Sequence, residues 1–215
     1  MNQTELTRVA LFPIPGVVAF PGTIVPLHVF EPRYRSMINE SVQANRMIAV
    51  CHTRKVIRPA PKQNDITVAL NSNQATYQPC GTFSAGYCEI LEVLDDGRLH
   101  VSIEMVKRLT LVDEVQTLPY RIVDARELID QDVGEAHAAL QVSVNNRLIN
   151  IVGGQNPALA RMLQQQEWQN QSAAKFSFRI FQFLKFDPDL MQELLEMQNI
   201  GERLKLIDQL LSEPG

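Results

Sequence analysis

Cysteine is scarce in this chain: Cys51, Cys80 and Cys88 are the only three among 215 residues. The odd number argues for a reducing compartment, and Cys80 and Cys88, without CxxC spacing or a nearby histidine partner, read as free thiols rather than metal ligands. Positive charge is not in excess either, with 20 basic against 24 acidic residues, a net charge of -4 and a pI near 5.6. A nucleic-acid binder concentrates Lys and Arg to neutralise phosphates, so that function is not expected, and the doublets Arg54-Lys55 and Lys107-Arg108 read as solvated surface. An uninterrupted apolar run is missing as well. The stretch from Val9 to Leu27 is nearly uncharged, but Pro13, Pro15, Pro21 and Pro26, with Gly16 and Gly22, would break any helix crossing a membrane there. No basic leader with a small-residue cleavage site is found, so the chain is expected in the cytoplasm. The N-x-S/T matches at Asn2, Asn39 and Asn170 are then expected to be chance.

Catalytic signatures are equally sparse. Gly81 to Gly86 has the glycine spacing of a phosphate-binding loop, but Tyr87-Cys88 follows where a Lys and a hydroxyl are needed to reach phosphates and magnesium. Neither a GxSxG elbow nor an HExxH helix occurs. The four histidines, His28, His52, His100 and His137, have no second histidine at ligand spacing and read as structural. His28 stands apart because it interrupts an apolar strand just before Phe30-Glu-Pro-Arg33. Asp95-Asp96 falls in a turn, where carboxylates favour the backbone geometry rather than acid-base work. No catalytic residue, metal or cofactor is expected.

What the chain does hold is enough apolar material to fold without metal or disulfide support: 45% hydrophobic beside 20% charged residues, at a length that buries a large core. Short apolar runs at Val9 to Phe12 and Ile24 to Phe30, broken by Pro-Gly pairs, predict strands. Pro32 opens a helix carrying Tyr34, Met37, Ile38 and Val42, and Met47 to Cys51 predicts a buried strand. Residues 54–79 read as an exposed hairpin or loop, with a strand at Ile66 to Leu70 as its one periodic piece. Thr82 to Leu111 predicts a hairpin turning at Asp95-Asp-Gly97, with Leu99, Val101, Ile103 and Met105 facing a core. A further strand near Tyr120 to Ala125 would complete a small barrel, since closure removes exposed edges.

After Asp130 the period changes from two to about 3.6. Five helices are expected: one capped by Asp132 with Glu135, one opening at Asn156-Pro157, one at Ser172, one at Asp187-Pro188 and one framed by Asn199 and Glu202. The helix after Ser172 is read as lining one face with Phe176, Ile180 and Leu184, flanked by Phe178, Phe181 and Phe183. The predicted fold class is α+β, a β-barrel over 1–128 followed by a helical bundle over 129–215.

Leu11-Phe-Pro-Ile-Pro-Gly-Val-Val-Ala-Phe-Pro-Gly22, with Pro26-Leu-His-Val-Phe-Glu-Pro-Arg-Tyr-Arg35, resembles the opening signature of the Lon amino-terminal domain family. Cys80-Gly-Thr82, Asp96-Gly-Arg-Leu-His-Val-Ser-Ile103 and the segment from Gln192 to Leu211 resemble it in the same order. The resemblance implies a PUA-like pseudo-barrel joined to helices. It also implies recognition of unfolded or tagged polypeptides by a non-catalytic module, lacking the ATPase and Ser-Lys peptidase of full-length Lon proteases. Partners would be such polypeptides and a protease or chaperone; neither nucleic acid nor membrane is expected. The residues singled out for peptide binding are His28, Phe30, Glu31, Arg33 and Tyr34, with Phe30 and Tyr34 alternatively core and Glu31 with Arg33 alternatively an ion pair locking barrel to helix. RNA binding and a small-ligand pocket in the barrel stay open as rival readings.

Overall fold

Proline and glycine cut the first half of the chain into short extended pieces, and the computed structural model shows how they pair. The structure describes residues 5–59, 75–132 and 137–212. Eight strands are found there: β1 (Thr7–Pro13), β2 (Ile24–Val29), β3 (Ile48–Cys51), β4 (Thr53–Arg58), β5 (Thr76–Pro79), β6 (Thr82–Val93), β7 (Leu99–Gln116) and β8 (Arg121–Glu127). Helix α1 (Pro32–Gln43) lies between β2 and β3. Among the described residues the remaining helices follow β8, and the class is α+β, as the sequence predicts.

Pairing closes five of these strands into a ring. β1 runs parallel to β3, β3 antiparallel to β6, β6 to β7, β7 to β8, and β8 back to β1. β7 makes this possible by its length of 18 residues: 99–104 pair with β2, and 109–116 pair with β8. β2 therefore stands outside the ring, attached through β7. Gly86 is needed where β6 and β7 come closest, because a Cβ there would lie 1.7 Å from the Glu104 carbonyl oxygen. Gly97 turns the hairpin at φ +80°, a conformation L side chains rarely adopt.

β1 and β3 are buried on both faces. Ala10, Phe12, Ile48 and Val50 enter one core cluster, and Val9, Leu11, Ala49 and Cys51 enter another. Strands covered on both sides read as continuous apolar runs rather than alternating ones, which is the pattern these segments carry. In β7, Leu99, Val101, Ile103 and Met105 are buried while Glu104 between them is exposed. Helix α1 buries Tyr34, Met37, Ile38 and Ser41. Val42 is instead 41% exposed, because Ser41 holds the inward position of the last turn and Val42 stands 100° further round. β4 and β5 form a separate two-stranded ladder, the described part of the hairpin expected over 54–79. The strand predicted at Ile66 to Leu70 lies outside the described residues.

The helices after β8 are α2 (Ala138–Gly153), α3 (Pro157–Leu163), α4 (Gln166–Gln169), α5 (Ala173–Arg179), α6 (Pro188–Glu196) and α7 (Ile200–Leu210), with a 3₁₀ turn at Ile180–Gln182. Asn156, Ser172 and Asn199 accept from the backbone N–H of Leu159, Lys175 and Glu202, the capping role their positions predict. Asp132 behaves differently. It does not cap the helix that follows it, which starts at Ala138; its carboxylate accepts from the N–H groups of Ile200 and Gly201, 2.7 and 3.1 Å away, at the start of α7. Its expected partner Glu135 lies outside the described residues.

Two compact units result, Met1–Leu128 with Phe181–Leu195, and Ile129–Ile180 with Glu196–Gly215. The helix expected to run on from Ser172 through Leu184 stops at Arg179. In the first unit Phe181 stacks on Phe20 at 4.0 Å between ring centres, Gln192 donates to the Thr82 carbonyl, and the buried Arg108 guanidinium donates to the Leu195 carbonyl at 2.7 Å. These contacts, absent from any local periodicity, place Phe181–Leu195 with the sheet. In the second unit the fully buried Arg203 meets both Asp130 oxygens at 3.0 Å, bonds Ser177 and the Met197 carbonyl, and lies 4.0 Å over the Phe178 ring. A buried charge is tolerated when it is paired and its donors are satisfied.

Burial raises the Asp132 carboxyl, but the Ile200 and Gly201 amides and nearby His137 outweigh it and hold it below the usual carboxylate range. Its stabilising effect is therefore present above the unfolded value of about 3.9 and is lost as pH falls through the lower folded value. Asp132→Ala is expected to cost about 1–3 kcal/mol near neutral pH, measured by urea unfolding. The gap between variant and wild type should narrow as acid protonates the native carboxyl.

Candidate functional site

β2 ends at Val29, and two residues later Pro32 starts α1, its fixed φ suiting a first helical position. This short connection curls the chain around a cavity of about 290 Å³. All five residues singled out from sequence line it: His28, Phe30, Glu31, Arg33 and Tyr34. The end of β1 supplies Phe12 and Pro13, β2 supplies Leu27 and Val29, and Ala75 with Tyr77 complete the wall.

Tyr34 is the floor. It is 7% exposed and stacks on Phe12 at 4.2 Å with 30° between the rings. Burial pushes its phenol up to about 12, so the hydroxyl stays neutral at any ordinary pH. Arg33 lies over the same ring, 4.6 Å from its centre, and grips three neighbours. Its Nη2 is 2.8 Å from Glu31 Oε2 and donates to the Ala75 carbonyl at 2.8 Å, while Nη1 donates to Thr76 Oγ1 at 3.3 Å. Both side chains of the ion pair are 12% exposed. The guanidinium thus ties the start of α1 to β5 and lines the cavity as well. Of the two roles weighed from sequence, the ion pair is present in the structure.

Phe30 is half-buried, and His28 is exposed on the outer face of β2. The His28 ring meets Phe30 edge-on at 6.4 Å and His100 at 4.8 Å across the strand pair, with His100 Nδ1 2.8 Å from Glu92 Oε2. Among the described residues no group of three or more His, Cys, Asp or Glu is arranged to hold a metal. Cys51 and Cys88 are poor nucleophiles, since burial pushes the Cys51 thiol up and the Cys88 thiol to about 11. What the cavity offers is an apolar, aromatic wall with a few polar groups at its edge, the usual make-up of a binding site.

Sequence reasoning missed part of this wall. Phe12 and Pro13 lie within the quoted signature but carry no chemistry of their own, and only folding places them against Tyr34. Ala75 and Tyr77 belong to a segment whose sequence has no readable period.

Solved structures with the same arrangement include the N-terminal domain of the Lon protease of the Mycobacterium avium complex, with a TM-score of 0.68, 13% identity, and coverage of 96% of this chain and 99% of that one. The Lon N-terminal domain protein from Xanthomonas campestris aligns with a TM-score of 0.60 and 18% identity, covering 97% of this chain and 99% of its own. The fold is therefore that of a Lon amino-terminal domain. The sequence profile of the ATP-dependent protease La (LON) substrate-binding domain matches residues 8–213, and the chain belongs to that family. Lon protease 1 of Herpetosiphon aurantiacus is 25% identical over 136 residues, which make up 60% of this chain and 15% of that protein. The chain thus matches a small fraction of that relative's length. No helix among the described residues is long and apolar enough to cross a membrane.

Because Glu31 and Arg33 satisfy one another, removing one should hurt more than removing both. Arg33→Ala is expected to cost about 2–4 kcal/mol, and adding Glu31→Ala should recover part of that loss. Urea unfolding of the four proteins of the cycle measures the coupling. Tyr34→Phe should leave the fold intact and remove the phenol that ionises near pH 12 in an ultraviolet titration.

Proposed function

We propose that this chain is a non-catalytic, cytoplasmic polypeptide-binding module, an adaptor in protein quality control that holds unfolded segments for a protease or chaperone. The observation carrying this reading is the cavity between β1, β2 and α1, whose wall gathers His28, Phe30, Glu31, Arg33 and Tyr34 around aromatic surface. Membership of a substrate-binding family supports the same reading. A protein side chain such as Phe or Leu releases about 1.5–3 kcal/mol when it leaves water for a site of this kind, enough to favour unfolded chains, which expose such groups, over folded ones, which do not. The acidic balance of the chain, at a net charge of -4, weighs against RNA as the cargo.

Fluorescence anisotropy with one labelled protein in unfolded and folded forms tests this. The unfolded form should bind saturably and the folded form weakly. Phe30→Ala, at a half-buried position, should weaken binding roughly tenfold while leaving the melting temperature little changed. Equal affinity for both forms, or turnover of peptide or ATP by the purified protein, would sink the proposal.

A further inference from the structure

Of the six strands in the larger sheet, β2 is the one that ring closure leaves out. The Thr23 carbonyl accepts from Met105 N–H at 2.9 Å, and Val25, Leu27 and Val29 continue that register opposite Ile103, Val101 and Leu99. Backbone groups of successive residues point to opposite edges of a strand, so those of Ile24, Pro26 and His28 point away from β7. Pro26 fits this placement, since it has no N–H to give a ladder and is tolerated at an edge. Among the described residues no strand pairs with that edge, and none of its groups has a hydrogen-bond partner. Two N–H donors and three carbonyl acceptors are thus presented at the spacing of an extended backbone.

Two cavities flank the same edge. One of about 430 Å³ borders Thr23–Pro26 and is walled by Val17, Phe20 and Phe181; the other, of about 290 Å³, is the aromatic pocket beside Leu27 and Val29. Val25 and Leu27, the half-buried residues between the exposed ones, line one cavity each. At about 3.3 Å per residue, a strand laid beside β2 would send every second side chain towards these cavities.

Resting on the polypeptide-binding reading above, we infer that an extended segment docks as an added strand on the open edge of β2, with apolar side chains at i, i+2 and i+4 seated along the two cavities. The partner chemistry follows from the edge itself. Unpaired amides and carbonyls select an extended backbone, and the cavities select alternating apolar residues. This pattern belongs to segments that fold into half-buried strands and become accessible when a protein unfolds.

The test uses a labelled nine-residue peptide of alternating apolar and threonine residues with lysines at its ends, and two copies carrying backbone N-methyl groups on one or the other alternate set of residues. One copy should lose about tenfold or more in affinity and the other less than about twofold, because one set of amides faces β2 and the other faces solvent. Hydrogen exchange of the Ile24 and His28 amides should be fast in the free protein and slowed by the parent peptide. If the parent binds and neither or both N-methyl copies weaken, strand addition fails while polypeptide binding stands. If neither the parent nor an unfolded protein binds, the underlying reading fails with it. Slow exchange in the free monomer would mean that the chain covers its own edge, and protection that grows with protein concentration would mean that a second copy does; either result overturns the proposal.

Discussion

Every backbone amide in a sheet needs a partner, and in this protein one long strand decides how that need is met. β7 offers one side to β6 from Leu99 to Thr110 and divides the other between β2 and β8. Because β8 also pairs with β1, the ring closes. Closure makes the inside of the sheet a core. It also dictates where closure cannot extend: once β8 has taken its share of β7, β2 has no second neighbour among the described residues. The edge of β2 left unpaired among the described residues is the result of that division.

The first core is sealed by α1, and the seal and the site share residues. Tyr34 presses on Phe12 from the helix, and Arg33 reaches from the helix to β5. The pocket is thus walled in part by groups that also hold the fold together.

Much of this was legible in the sequence because the responsible forces act locally. Alternation in β7 reports one buried face, continuous apolar runs in β1 and β3 report two, and Asn156, Ser172 and Asn199 report helix starts through their side-chain acceptors. The nominated residues reached one cavity because they lie within seven positions of each other on a strand, a turn and the start of a helix. Where the reading failed, the deciding partner was distant. Asp132 has the residue type of a cap, yet it serves a helix 68 positions away. The aromatic run after Ser172 has the period of one helix, but Phe178 lies beneath Arg203 while Phe181 stacks on Phe20. Ala75 and Tyr77 join the site through the β4–β5 ladder, whose register no local pattern announces.

The two units are interleaved along the chain, and that order bears on how the protein is made. The Thr82 carbonyl must wait for the Gln192 amide, 110 positions later, which at about 5–20 residues per second is roughly 5–20 s of ribosome time. Asp130 likewise emerges 73 positions ahead of Arg203, the cation it neutralises. The nascent sheet therefore leaves the exit tunnel without its last covering segment, and the helices arrive before their central charge is matched. For those seconds the nascent protein carries a carbonyl and a carboxylate whose partners have not yet been made.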